Sequence, residues 1–123
     1  MLNVLHVDDE PDIREVAAFA LEMDPDVSVR SVASGREALD VLRSASVDVI
    51  LLDVMMPELD GPGTLEQLRR LEGHADTPVI FMTARAQSHE LDQFLNLGAI
   101  AVIIKPFDPM TLGQLIRGHL AGA

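Results

Sequence analysis

The sequence contains no cysteine, tyrosine or tryptophan, and its only aromatic residues are four phenylalanines. Without cysteine, disulfides and thiol chemistry are excluded, and a reducing compartment is permitted. Basic residues are also scarce, because 9 lysines and arginines stand against 20 aspartates and glutamates, for a formal charge of −11. A surface of that sign repels nucleic acid and favours cations or basic partners, so we expect no direct nucleic-acid binding.

Long hydrophobic runs are missing as well. The N-terminal residues MLNVLHVDDEPD lack the basic start and apolar run of a signal peptide, and no stretch approaches the roughly 20 apolar residues of a membrane span. We therefore expect a cytoplasmic protein with no membrane contact. The 123 residues fit a single domain, 1–123, of common size, and we expect no output domain within this chain.

The chain does contain a regular alternation of Val- and Ile-rich apolar runs with segments of helical period. The runs predict strands over residues 2–7, 27–32, 47–53, 78–83 and 101–105, and the segments predict helices over about 11–23, 34–43, 62–71, 88–97 and from 108 onwards. This alternation is typical of the α/β class with a parallel sheet. Five βα units without a sixth suit the (βα)5 flavodoxin-like fold, with strand order 2-1-3-4-5 and helices on both faces.

Local signals predict several helix ends. Ser34 with Glu37 forms a capping-box pattern, and Gly98 can end a helix in a left-handed conformation. Asp108 followed by Pro109 predicts the N-cap and first turn of the last helix. The first helix is expected to bury one apolar stripe against the sheet. That stripe consists of Ile13, Val16, Ala17 and Ala20.

Polar residues stand where the predicted strands end. Asp8 and Asp9 follow the first strand, Asp53 ends the third, Thr83 the fourth and Lys105 the fifth. Ligands of open parallel sheets bind beyond the carboxyl ends of the strands. We therefore expect these side chains to converge there into one site.

The chemistry of that constellation suits an aspartate that accepts a phosphoryl group. Clustered carboxylates resist ionising together, and a divalent cation would relieve their repulsion. Hard oxygen ligands without nearby histidine or cysteine favour Mg²⁺ or Mn²⁺ over zinc. Asp53 is the expected nucleophile, while Lys105 balances charge on the transferring oxygens and Thr83 donates to a phosphate oxygen.

The same motifs give the chain a family resemblance. They are DDE at residues 8–10, DVMMPELDG at 53–61, MTA at 82–84 and KPF at 105–107. With them the sequence resembles the receiver domains of bacterial two-component response regulators over essentially its whole length. The resemblance implies that a sensor histidine kinase or phosphotransfer protein phosphorylates Asp53. It also implies a phosphorelay switch that acts on a downstream effector, rather than a metabolic enzyme.

Further site assignments come from the resemblance alone. It implies that Asp9, Asp53 and the backbone carbonyl of Met55 bind Mg²⁺, with Asp8 assisting through water. It implies that Lys105 contacts the phosphoryl group and that the peptide bond between Lys105 and Pro106 is cis, which fits the restriction of cis bonds to proline. The side chains of Met55 and Arg85 are expected to tune hydrolysis of the phosphate.

The chain departs from the family pattern at one switch position. Many receivers carry an aromatic residue three positions before the lysine, where this chain has Val102. A short, stiff valine cannot swing as a tyrosine does, so only the Thr83 half of the switch is expected to operate. The resemblance implies a partner-binding or dimerisation face, and phosphorylation-dependent dimerisation stays open. Its candidate residues are Glu90, Leu91, Phe94, Val102, Gln114 and Arg117.

Three other function classes are alternatives to this interpretation. A flavin- or nucleotide-binding protein of this fold wants a Ser/Thr/Gly-rich loop after the first strand, where DDEPD stands. A Mg²⁺-dependent phosphatase usually needs a second acid two residues after its nucleophile, where Met55 stands. A phosphorylation-independent, receiver-like interaction module is the stronger competitor, because Val102 removes part of the switch and leaves the fold intact.

Histidine and Phe94 have ordinary structural interpretations too. His6 lies inside the first strand and is predicted to be a hydrogen-bonded core or edge residue, whereas His74, His89 and His119 are predicted at the surface. Phe94 suits a buried helix contact as well as an interface.

Overall fold

The computed structural model describes residues 1–84 and 86–122, and within them five strands alternate with five helices. The strands are β1 (Leu2–Val7), β2 (Val27–Val32), β3 (Val49–Asp53), β4 (Val79–Thr83) and β5 (Ala101–Ile104). The helices are α1 (Pro11–Glu22), α2 (Gly35–Leu42), α3 (Gly61–Leu68), α4 (Ser88–Asn96) and α5 (Leu112–Ala121). None of these helices is long and apolar enough to cross a membrane.

The sheet has the predicted topology. All neighbouring strands are parallel, and their order is β2-β1-β3-β4-β5. Every residue of β3 and β4 is buried, because both faces of the central sheet are covered by helices. The register pairs Asp53 with Met82 and Thr83 with Ile104, so the carboxyl ends of β3, β4 and β5 lie side by side.

Two hydrophobic clusters cover the two faces of the sheet, as predicted. On one face, the sheet packs against residues of α2 and α3, including Leu39, Leu65 and Leu68. On the other, it packs against α1 and α5. β1 contributes to both faces because its side chains alternate, with Leu5 in the first cluster and Val4 in the second.

The fourth helix is held less firmly than the others. It has no buried residue, whereas every other helix has at least two. Its main anchor is Phe94, which is half-buried and packs against Phe81 with ring centroids 5.2 Å apart.

The last helix begins later than predicted. α5 starts at Leu112, and Asp108 is not its N-cap. The Asp108 carboxylate instead accepts from the Met110 N–H at 2.9 Å, and the Asp108 carbonyl accepts from the Thr111 N–H at 3.1 Å. A short aspartate side chain readily forms such a turn with the backbone two residues on, and here the turn competes successfully with helix capping.

Two other helix predictions need correction. The buried stripe of α1 contains Ala17, Ala20 and Leu21, whereas Val16 is 41% exposed. The helix is therefore rotated slightly from the predicted orientation, so that Leu21 replaces Val16 in the core. α3 ends at Leu68 rather than at residue 71, since the following residues form a tighter turn in which the Arg70 N–H donates to the Gln67 carbonyl at 3.1 Å.

His74 was wrongly predicted to lie at the surface. It is 3% exposed, in the segment that leads into β4. Its Nδ1 lies 3.0 Å from the Thr77 hydroxyl, and its Nε2 lies 2.7 Å from the Leu42 carbonyl and 3.1 Å from the Ala45 carbonyl. Because Nε2 faces two carbonyl oxygens, it must carry the hydrogen. His74 thus joins the end of α2 to the start of β4.

Candidate functional site

The carboxyl edge of the sheet carries the polar residues that were predicted to converge. Asp8 follows β1 and is fully buried, while Asp53 ends β3 and is 4% exposed. Asp9 is half-buried, and Lys105 directly follows β5. Thr83 ends β4, is also buried, and its carbonyl accepts from the Lys105 N–H at 2.7 Å. The parallel topology therefore brings four strand ends to one cleft.

A glycine allows the loop after β3 to fold closely around this edge. The Gly61 N–H donates to the Val54 carbonyl at 2.9 Å. A Cβ at residue 61 would lie 2.5 Å from the Asp53 carbonyl oxygen and 2.8 Å from the Val54 Cα. Those neighbours are backbone atoms, which cannot move aside as a flexible side chain does. Glycine at this position thus lets α3 begin directly beside Asp53.

Carboxylates form the dense centre of the site. One oxygen from each of four acidic residues lies within 4.8 Å of the others. These residues are Asp8, Asp9, Glu10 and Asp53. Glu10 was not among the predicted site residues, although the DDE motif contained it. It is exposed at the rim, whereas Asp8 and Asp53 lie in the floor of the cleft.

A single ammonium group lies between the buried carboxylates. The Lys105 Nζ is 2.7 Å from Asp8 Oδ2, 3.3 Å from Asp53 Oδ1 and 3.8 Å from Glu10 Oε1. The Lys105 side chain is only 9% exposed, so water screens these contacts weakly. Within the described residues, this one ammonium contacts three carboxylates and neutralises only part of their negative charge.

The pKa values of the site reflect this imbalance. Burial and the neighbouring Asp8 charge raise the pKa of Asp53 from 3.8 to about 6, against the opposing effect of Lys105. Burial by itself would lower the pKa of Lys105, but its hydrogen bond to Asp8 and the Asp53 charge outweigh burial and raise it. Lys105 therefore stays protonated. The ionised form of Asp53 is destabilised, and any additional positive charge nearby would stabilise it.

Backbone and side-chain donors hold the two floor carboxylates in place. Asp8 Oδ1 accepts from the Glu10 N–H at 2.9 Å, and the Asp8 carbonyl accepts from Arg14 Nη1 at 2.8 Å. Asp53 Oδ1 accepts from the Met55 N–H at 3.4 Å. The Met55 side chain is 78% exposed above the cleft. Arg85, the other residue expected to tune hydrolysis, lies outside the described residues.

The donor set suits a hard divalent cation. It consists of closely spaced carboxylate oxygens on a buried floor, and this is the environment in which Mg²⁺ or Mn²⁺ binds with several of its waters retained. The Lys105–Pro106 peptide bond at the edge of the same cleft is cis.

His6 lies beneath this cleft in an unexpected state. It is fully buried, as its core interpretation predicted, but within the described structure neither ring nitrogen has a hydrogen-bond partner. Its Nε2 is 3.9 Å from Asp8 Oδ2, beyond hydrogen-bonding distance. Burial lowers the pKa of His6 to about 4, although Asp8 opposes the shift. The ring is therefore neutral at neutral pH.

The candidate interface residues lie on α4 and β5, except Gln114 and Arg117, which are on α5. The Glu90 carboxylate accepts from the Gln87 N–H at 3.1 Å and so helps to begin α4. Leu91 is half-buried. Phe94 and Val102 are both half-buried against the cluster that contains Phe81. In this structure Phe94 is thus a core contact.

Comparison with known proteins agrees with this fold. Residues 4–117 match the family model of the response regulator receiver domain. The chain is 37% identical over 120 residues to the response regulator Rre1 of Synechocystis, an alignment that covers 98% of this chain and 52% of the relative. The chemotaxis response regulator CheY4 of Vibrio cholerae superposes with a TM-score of 0.89 at 32% identity, covering 97% of this chain and 98% of that one.

A third similar structure holds a metal ion. It is the receiver domain of a Pseudomonas aeruginosa sensor histidine kinase, with magnesium coordinated in its active-site cleft. It matches with a TM-score of 0.85 at 27% identity, covering 98% of each chain.

The chain therefore belongs to the response regulator receiver domain family, and its function lies in two-component signal transduction. It spans about half the length of the curated relatives that it matches.

Proposed function

We propose that Asp53 accepts a phosphoryl group in a reaction that depends on a divalent cation, and that the phosphorylated domain binds a protein partner with altered affinity. The observation that carries this proposal is the position of Lys105. Its ammonium lies 2.7 Å from Asp8 and 3.3 Å from Asp53, inside a cleft that holds four closely spaced carboxylates. Once a divalent cation offsets these carboxylates, the ammonium can stabilise incoming oxygens that carry negative charge.

The proposed reaction is a direct displacement at phosphorus. An Asp53 carboxylate oxygen attacks, the new O–P bond forms, and the bond from phosphorus to the donor breaks, so that the bonding electron pair leaves with the donor. The raised pKa of Asp53, about 6, still leaves most of this carboxylate ionised at neutral pH. Lys105 is placed to turn from Asp8 to the incoming phosphoryl oxygens.

Three groups of this chain are proposed to hold the cation. They are the carboxylates of Asp9 and Asp53 and the backbone carbonyl of Met55, with Asp8 acting through water. When bound, Mg²⁺ or Mn²⁺ supplies charge neutralisation at the phosphoryl oxygens. The raised pKa of Asp53 supports this assignment, because burial and the neighbouring Asp8 charge both disfavour its ionised form, and a dication would offset both effects.

A change at Thr83 is the proposed output of the site. Its hydroxyl is proposed to donate to a phosphoryl oxygen and so to draw in the segment between β4 and α4. Because α4 has no buried residue and its main core contact is Phe94, this helix can shift with little other loss of packing. Val102, half-buried beside them, replaces the usual aromatic partner of that motion. The domain acts here as a switch and not as a metabolic enzyme.

The proposed phosphodonor is the phosphohistidine of a sensor histidine kinase or phosphotransfer protein. The downstream partner, dimerisation of the phosphorylated form and a cytoplasmic location stay predictions. That residues 1–123 form one domain and that the chain does not bind nucleic acid also stay predictions.

Intact mass after incubation with acetyl phosphate tests the proposal. Wild-type protein should gain one phosphoryl group with Mg²⁺ and none with chelator. The Asp53→Asn variant should gain none in either condition, whereas Asp40→Asn, at an exposed position of α2, should behave as wild type. A gain that persists in Asp53→Asn would show a different acceptor.

A phosphorylation-independent interaction module is the second candidate. Val102 favours it, because this half-buried side chain is too short to move between a buried and an exposed position. Folded wild-type protein that gains no phosphoryl group from acetyl phosphate or from its kinase, yet binds a partner as tightly as Asp53→Asn does, would establish this alternative.

A further inference from the structure

His6 is buried, and in the part of the chain that the structure describes both of its ring nitrogens lack a hydrogen-bond partner. Among the described residues, its two ring nitrogens are the buried side-chain nitrogens and oxygens without a hydrogen-bond partner. A buried polar group left unpaired destabilises a fold, and a leucine at the same place would avoid that cost. An unpaired imidazole next to the candidate site therefore suggests that the ring forms a hydrogen bond in another state of the protein.

His6 and Lys105 face the same oxygen atom. Side chains alternate along β1, which places His6 and Asp8 on one face of the sheet together with Val4, a member of the cluster beneath α1 and α5. The His6 Nε2 is 3.9 Å from Asp8 Oδ2, and the Lys105 Nζ is 2.7 Å from that atom. In the unmodified protein, Lys105 therefore already donates to the carboxylate oxygen to which His6 could also donate.

The imidazole can act as a donor without any change of charge. The charged groups that influence it are Asp8, Lys105 and Arg14. A neutral ring carries a hydrogen on one nitrogen, and a carboxylate facing Nε2 favours the tautomer with the hydrogen there. A shift of about an ångström would then complete an N–H···O bond to Asp8.

We propose that His6 is a positioning residue that becomes the hydrogen-bond donor to Asp8 Oδ2 when Lys105 turns towards a phosphoryl group on Asp53. The inference rests on the proposed function, since phosphoryl oxygens are what draw Lys105 away. The buried Asp8 carboxylate then has a donor in both states. His6 is unpaired in the unmodified state and paired in the phosphorylated one, so it favours the phosphorylated state without touching the phosphoryl group.

Imidazole NMR tests this exchange directly. Beryllofluoride, a non-hydrolysable mimic of the phosphoryl group, is added to wild-type protein that already contains Mg²⁺. The His6 Nε2–H signal should move downfield and become protected from solvent exchange on this addition, but not with Mg²⁺ alone. His74 is an internal reference, because both of its ring nitrogens are already bonded and it lies before β4, at the opposite edge of the sheet. Unchanged His6 signals in the beryllofluoride state would overturn the proposal.

Two variants separate positioning from simple packing. His6→Leu removes the donor, and His6→Gln keeps an N–H at a similar reach. We expect His6→Leu to be more stable than wild type in the unmodified state, yet to bind beryllofluoride about fivefold more weakly, the value of one ordinary hydrogen bond. His6→Gln should retain most of the wild-type affinity. A packing role predicts instead that stability and affinity change in the same direction, and that result would refute the inference.

Failure of the underlying function has its own signature. Fluorine NMR reports bound beryllofluoride independently of His6, and Asp53→Asn should abolish that signal. Bound beryllofluoride with unchanged His6 signals overturns the His6 inference alone. No bound beryllofluoride in folded wild-type protein overturns the proposed function and the inference with it.

Discussion

At the scale of single residues, Asp53 is a carboxylate in an unfavourable environment. It is 4% exposed and lies near the buried Asp8, so both burial and repulsion raise its pKa to about 6. Lys105 offsets only part of this rise in pKa, because its ammonium lies closer to Asp8 than to Asp53. The ionised form of Asp53 is therefore destabilised in the folded protein, and a bound cation would reduce that cost.

We expect Asp53→Asn to raise the free energy of unfolding of the metal-free protein. The folded-state pKa of Asp53 is raised from 3.8 to about 6, so its favourable contribution is present below pH 3.8 and lost as pH rises through about 6. Above that window the gain from asparagine should be on the order of 2 kcal/mol. Urea denaturation across a pH series measures it, with Asp40→Asn as control. A gain equal on both sides of the window would contradict this cause.

The residue types and their positions in the sequence predicted most of the site residues, but not the contacts around His6. Asp8, Asp53, Thr83 and Lys105 could be placed because each stands at the end of an apolar run. The contact of Asp8 with Lys105, closer than that with His6, could not, because it depends on where Lys105, distant in sequence, comes to lie. Glu10 is intermediate, since the motif contained it and only the fold brought its oxygen within 4.8 Å of Asp53.

At the scale of elements, the site depends on close approach between a helix start and a strand end. α3 begins at Gly61, where a Cβ would lie 2.5 Å from the Asp53 carbonyl oxygen. Gly113 in α5 differs, because a Cβ there would meet nothing within 4 Å. The two glycines therefore have different reasons to be present, and substitution can tell them apart.

We expect Gly61→Ala and Gly113→Ala to change stability in opposite directions. The first forces backbone atoms apart and should cost about 1–3 kcal/mol, with slower phosphorylation because Asp53 is displaced. The second adds a good helix former in open space and should gain about 0.5–1 kcal/mol. Chemical denaturation and the rate of acetyl phosphate labelling measure both effects. Equal losses in the two variants would show that the close contact at residue 61 is unimportant.

Helix ends were the least predictable feature of the elements. Ser34 caps α2, and its hydroxyl accepts from the Glu37 N–H as the capping-box pattern predicted. Asp108 has equally good capping chemistry but forms a turn, so α5 starts at Leu112. Both residue types hydrogen-bond to nearby backbone, and the path of the chain after β5 determines which local structure wins.

At the scale of the whole molecule, the charge of −11 and the acidic cleft act together. The net charge attracts cations to the surface, and the cleft offers closely spaced oxygen ligands to a small, hard one. One ammonium among these carboxylates leaves the folded protein with a local charge excess that an added dication relieves.

Mg²⁺ should therefore stabilise the folded domain. A ligand that binds only the folded state adds about 2.7 kcal/mol at a concentration one hundred times its dissociation constant. Thermal unfolding should shift upwards with Mg²⁺ and saturate in wild type. The shift should be much smaller in Asp9→Asn, which loses a proposed ligand, and unchanged in Asp40→Asn. An equal shift in all three would indicate a general effect of ionic strength on a highly charged chain.

The sequence by itself determined the fold class, the strand order and the edge of the sheet where the polar residues meet. The fold class follows from the period of apolar residues along the chain, and the strand order follows from general rules for βα connections. Only the tertiary structure decided that His74 is buried, that α5 starts at Leu112 and that His6 is unpaired beneath Asp8. The burial of His74 and the contact of Lys105 with Asp8 join residues far apart in the chain, and a local pattern carries no information about such distances. The start of α5 depends on which of two local hydrogen-bond patterns Asp108 adopts, and its residue type is compatible with both.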